Sequence, residues 1–148
     1  MSKKLNMQAI NKEMNKFNER EVIKVLEGKY EVSINKHFKI SDIQKLLIDY
    51  QEYIEQMRQK DISVDNMQSI AFLLPALLIK YFTDINIPDE IDKMILVVEK
   101  LIDLGVFEEI INEMPGKEIE KINNILKNIE NNGSKIGELI GELIIKGE

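Results

Sequence analysis

Apolar positions along the chain change period twice. Met7, Ile10, Met14 and Phe17 fall at i, i+3, i+7 and i+10 behind Asn6, which predicts a short amphipathic helix over about 6–18 with Asn6 as its N-cap. From Glu21 the period becomes two. The run EVIKVLEGKYEVSIN sets Gly28 between two β-branched stretches and predicts a hairpin at about 21–36. A two-residue loop at Glu27-Gly28 or Gly28-Lys29 places Ile23 and Val25 on one face with Tyr30, Val32 and Ile34, and Lys24, Glu31, Ser33 and Asn35 on the other. An isolated two-stranded hairpin is marginal in water. Its apolar face must therefore cover the helices, or its edges must meet another chain, which leaves room for a homo-oligomer.

The helical period then returns. Ser41 and Gln44 form a capping-box pair, opening a helix to about Arg58 with Ile43, Leu46, Leu47, Tyr50, Ile54 and Met57 on one stripe. Asp61 to Asp65 reads as a polar connection, with Asp65 and Gln68 capping a helix that is apolar nearly all round. Pro75 inside that helix predicts a kink or a split into 66–73 and 75–83. After a break at Asp84 to Pro88, Pro88 is placed to start the next helix. Its stripe is Ile91, Met94, Ile95, Val98, Leu101 and Ile102, stopped by Gly105 in a left-handed cap. Phe107, Ile110, Ile111 and Met114 make a short helix up to Pro115-Gly116. Ile119, Ile122, Leu126 and Ile129 mark another, broken at Asn131-Asn132-Gly133. The expected fold is mainly α, an irregular bundle of about six helices with one N-terminal hairpin, forming a single domain over 1–133.

The last stretch, 134–148, is a separate expectation. Ile136, Leu139, Ile140, Leu143 and Ile144 share one face, but Gly137 and Gly141 interrupt it at roughly 1 kcal/mol each relative to Ala. Such a helix needs a partner, either this protein's own core or the groove of another protein. It is read as a loosely attached amphipathic helix, and its five apolar residues are the candidate protein-binding set.

Composition narrows the chemistry. The chain has no Cys, which removes disulfides, thiol catalysis and thiolate metal sites, and one His, which removes His-rich metal sites. That residue, His37, has no acidic or Ser partner at motif spacing. Asp84, Asp89, Glu90 and Asp92 resemble a calcium loop only superficially: counted from Asp84, positions six and twelve hold Asp89 and Ile95 instead of Gly and Glu. Carboxylates at a helix start explain them. No glycine-rich phosphate loop occurs. A non-enzymatic protein that folds without a cofactor is expected.

Charge varies by segment. Residues 1–20 carry net +3, 21–60 are balanced, 61–116 carry net -8 and 117–148 net -1. With a net charge of -6 and no dense basic stripe, nucleic acid is not an expected partner. A regulator with a basic recognition helix is disfavoured, because helix 42–58 carries two basic side chains against four acidic ones. A carboxylate enzyme would need two acids in an apolar cleft. The longest apolar run, Met67 to Phe82, is too short for the ~20 residues of a bilayer span, and no secretory signal is visible, so a bacterial cytoplasm is the expected compartment.

The runs EVIKVLEGKYEVSINKHFKISDIQKLLIDYQEYIEQ and AFLLPALLIKYFTDINIPDEIDKMILVVEKLIDLGVFEEIINEMP together resemble the tail assembly chaperones of phages and prophages of Gram-positive bacteria. The carriers are Phe38, Ile40 and Ser41 between hairpin and helix, the segment Lys80-Tyr81-Phe82-Thr83-Asp84, and Leu101-Ile102-Asp103-Leu104-Gly105 before Phe107. The likeness spans about 21–116. It implies a protein that binds the tape measure protein and recruits tail tube subunits during tail morphogenesis. The alternative is a small helical adaptor or regulatory protein of a mobile element.

Overall fold

The computed structural model describes residues 2–59 and 67–131, and within them the fold is mainly α. Six helices and one hairpin follow the order α1 Met7–Met14, a 3-10 turn Asn15–Asn18, β1 Arg20–Val25, β2 Tyr30–Asn35, α2 Ile40–Gln59, α3 Met67–Phe82, α4 Ile91–Asp103, α5 Val106–Glu113 and α6 Gly116–Asn131. Outside the described residues lie the connection Asp61 to Asp65 with its Asp65 cap, the break at Asn132-Gly133, and 134–148 with Ile136, Leu139, Ile140, Leu143 and Ile144.

The start of the chain forms as its pattern predicts. The Asn6 side chain accepts from the Ala9 N–H at 2.9 Å, so the N-cap is real. The helix then tightens into the 3-10 turn. In the hairpin, antiparallel pairs Val25↔Tyr30, Ile23↔Val32 and Glu21↔Ile34 select the Glu27-Gly28 register. Its apolar face divides along its length. Val25, Val32 and Ile34 are buried, but Tyr30, beside the turn, is 62% exposed. Glu27 (φ 59°) and Gly28 (φ 82°) supply the two left-handed centres of a hairpin turn, closed by the Lys29 N–H on the Leu26 carbonyl at 3.2 Å. Leu26 is left-handed as well, at φ 53°.

On its other side β2 meets the end of α3. Ile34 bridges Thr83, the Asp84 N–H donates to the Ser33 carbonyl at 3.2 Å, and the Ser33 N–H donates to Asp84 Oδ1 at 3.0 Å. The hairpin is thus held by the body, which answers its marginal stability alone.

Two cap expectations need correction, and of the two alternatives at Pro75 the split is ruled out. α2 begins at Ile40, with the Asp42 and Ile43 N–H groups both on the Lys39 carbonyl at 3.0 Å. Lys39 is therefore the cap, and Ser41 lies in the first turn. Pro75 neither splits nor ends α3, which runs unbroken from Met67 to Phe82. A mid-helix proline costs about 3 kcal/mol, but Leu73, Ala76, Leu77, Leu78 and Ile79 around it are buried, and each large one contributes roughly 1.5–3 kcal/mol. Pro88 does not start α4, whose N-cap is Glu90. Gly105 (φ 77°) does end it and also caps α5.

The core draws on both strands and on α2 through α6, but on no residue of α1. At its centre Phe38 stacks on Phe82, with ring centroids 3.7 Å apart and planes 6° from parallel. The backbone N–H of Phe38 is buried there and donates to Glu118 Oε1 at 2.9 Å. Burial by itself would raise the Glu118 pKa. The Phe38 N–H, the Lys121 ammonium at 3.0 Å and the field of His37 outweigh it and hold the carboxyl below its ordinary value.

Two outcomes are expected. Glu27→Asn, which tolerates a left-handed backbone better, should stabilise the fold by about 0.5–1 kcal/mol in denaturant titration, with no change in m-value. Because the folded pKa of Glu118 lies below the unfolded one, its contribution is complete above the unfolded value of about 4.3 and is lost as pH falls through the folded value. Glu118→Gln should flatten this part of the acid limb. Glu118→Ala, which strands the Phe38 N–H, should cost about 1–3 kcal/mol at neutral pH.

Candidate protein-binding groove

Between α2, α3 and α4 lies an open groove of about 270 Å³. Met57 of α2, Leu73 and Ala76 of α3, and Met94 and Val98 of α4 form its buried floor. Phe72, Ile95 and Ile102 make the walls, and the Phe72 ring is set edge-on against Phe107 of α5, 5.5 Å between centroids at 88°. Glu99 and Asp103, exposed on the next turns of α4, supply an acidic rim. The volume falls below the ~300–1,000 Å³ of small-molecule sites, and two flexible Met side chains lie in the floor. Such a trough suits the side chains of a docked helix better than a cofactor.

The stripes predicted for α2 and α4 supply Met57, Met94 and Val98 of this floor, yet the groove is assembled by tertiary packing. No local motif marks it. Phe72, Leu73 and Ala76 come from the helix that the sequence shows as apolar nearly all round, with no stripe to single them out. The candidate binding residues Ile136, Leu139, Ile140, Leu143 and Ile144 belong to the undescribed C-terminal stretch, so the structure does not relate them to the groove.

A second cluster carries most of the titratable chemistry. The buried Tyr53 hydroxyl donates to the Asp89 carbonyl at 2.6 Å and accepts from Lys80 Nζ at 3.4 Å. Lys80 pairs with the Asp89 carboxylate, and Tyr81 donates to Asp49. Burial pushes the Tyr53 phenol up. It does the same to Tyr81, reinforced by the Asp49 carboxylate. Burial would lower Lys80, but the Asp89 carboxylate and the Tyr53 phenol outweigh it and raise its pKa. At neutral pH both phenols keep their protons and the ammonium its charge. The cluster therefore clamps α2, α3 and the 84–90 connection together and presents no free base there. Tyr53 sits seven residues after Leu46, and that spacing is the signal that would have added it to the α2 stripe.

The acidic residues before α4 are dispersed among structural partners: Asp84 on β2, Asp89 on Lys80, and Glu90 on Lys93 at 3.5 Å. Among the described residues no group of His, Asp or Glu could hold a metal ion. His37 lies 3.6 Å from Glu19 at the base of the hairpin. Among them, too, no helix is long and apolar enough to cross a membrane.

These features define a small, mainly α protein with a clamped hairpin and an apolar, acid-rimmed groove. The chain belongs to the YomO family, whose model matches residues 7–146. It is 26% identical over 129 residues to the SPbeta prophage-derived uncharacterized protein YomO of Bacillus subtilis strain 168, across 87% of this chain and 76% of that protein. No solved structure matches it.

If the Tyr53 cluster is a clamp, removing one hydroxyl should have a modest and purely structural effect. Tyr53→Phe should cost about 1 kcal/mol and lower Tm by roughly 2–4 °C, measured by calorimetry near neutral pH.

Proposed function

We propose that this protein is a non-enzymatic tail assembly chaperone of a prophage, acting in the host cytoplasm. It binds the tape measure protein and recruits tail tube subunits. The groove between α2, α3 and α4 is the observation that carries the reading, because an apolar floor edged by carboxylates is what an amphipathic helix with Lys or Arg at its flanks requires. The prophage origin of the Bacillus relative and the resemblance over 21–116 support the same reading. A chaperone must release its client. Each contact is therefore weak, near micromolar, and strength comes from repetition along a long helical tape measure.

Co-expression with the tape measure protein of the same genome should give a co-purifying complex. Ile95→Glu and Ile102→Glu, which place charge on the half-buried groove walls, should reduce recovery at least about tenfold, while circular dichroism keeps the helical signal. Failure to co-purify, together with normal tails from a phage lacking this gene, would remove the reading.

A further inference from the structure

The groove is one of the apolar surfaces that the described chain leaves open. Another is α1. That helix has eight residues and none of them is buried. Met7 is 67% and Met14 43% exposed, and Leu5 just before the cap is 73% exposed. Isolated helices shorter than about 12–15 residues are marginal in water, so an eight-residue helix with an uncovered stripe requires a surface to lie against. Among the described residues nothing supplies one: no α1 side chain joins their core or packs on it. Immediately after α1 the chain is tied to the base of the hairpin by the Lys36 N–H on the Glu19 carbonyl at 3.0 Å.

Charge says what covers what. Residues 2–18 carry Lys3, Lys4, Lys12 and Lys16 against Glu13 alone, a net +3. The two charged residues lining the groove, Glu99 and Asp103, are both acidic. One surface is a short amphipathic helix, its own Lys12 balanced by Glu13 but flanked by Lys3, Lys4 and Lys16, and the other is an acid-rimmed apolar trough. We infer that α1 of one copy seats in the α2–α3–α4 groove of a second copy, and that the exchange is reciprocal. A two-fold pair covers both helices and both grooves at once, whereas a one-way contact would leave one of each open and propagate into a chain of subunits. This arm exchange holds the free protein as a dimer whatever its external client proves to be.

The absence of Cys makes the test direct. Chains carrying Ile10→Cys and chains carrying Ile95→Cys, mixed and mildly oxidised, should give a mixed disulfide in clear excess over either homodimer. Sedimentation of the unmodified chain should show a dimer. Ile10→Lys should turn it into a monomer that keeps its helical signal, because Ile10 is outside the core, and whose Tm no longer rises with protein concentration. Glu99→Lys with Asp103→Lys should weaken dimerisation by roughly fivefold or more at low salt, and mixing that variant with Lys12→Glu plus Lys16→Glu should restore pairing. A chain that sediments as a monomer at every concentration, or a dimer indifferent to both Ile10→Lys and the charge reversals, would overturn the inference. Because every measurement uses the purified chain alone, neither result bears on tape measure binding.

Discussion

Phe38 lies flat on Phe82 at the point where the hairpin hands the chain to the helices, and much of the remaining structure depends on that contact. A ring buried in this way carries its backbone N–H into the core, where an unpaired donor costs about 1–3 kcal/mol. No main-chain ladder reaches the site. The group that answers it is Glu118, a carboxylate delivered from the first turn of α6, eighty residues further on. The carboxylate in turn needs compensation. Lys121 one turn later provides it, together with the positive end of the α6 dipole. One aromatic stack therefore fixes three things together: the exit of β2, the end of α3 and the start of α6.

From there the hairpin becomes a stable part of the molecule instead of a marginal ribbon. Its second strand is pinned at Ser33 and Ile34 by Asp84 and Thr83, residues that directly follow the stacked Phe82. The Tyr53, Lys80 and Asp89 clamp lies on the same α3 and binds its far side to α2 and to the entry of α4. Pro75 is tolerated for the same reason. A helix gripped along its length by buried Leu, Ala and Ile side chains does not need every one of its own hydrogen bonds.

Periodicity made most of the elements legible, because each helix shows its buried face as a stripe: Ile43, Leu46 and Leu47 in α2, Ile91, Met94 and Val98 in α4. Gly105 was readable too, since a left-handed cap demands that residue type. What the sequence hid was long-range. Glu118 carries no local mark that distinguishes it from the other carboxylates near helix starts, and its partner lies eighty positions away. The misread caps, Ser41 and Pro88, followed local preferences that the packing overrode by a turn or less. The groove was invisible for a related reason: its floor consists of ordinary buried core positions, and only the relative placement of three helices opens a trough above them.

That trough follows from composition. With no Trp and few aromatic residues, the chain fills its core with Ile, Leu and Met, and short helices carrying such side chains leave troughs where their ridges fail to meet. An apolar trough facing water is a standing cost, and so is the bare stripe of α1. Had selection acted for stability alone, a larger side chain at Ala76 or a polar one at Met7 would reduce each cost separately. The chain instead keeps both surfaces, with lysines flanking one and carboxylates on the rim of the other. Two open surfaces with matched polarity and matched electrostatics, which bury nothing against each other within one chain, are accounted for most simply by contact between chains.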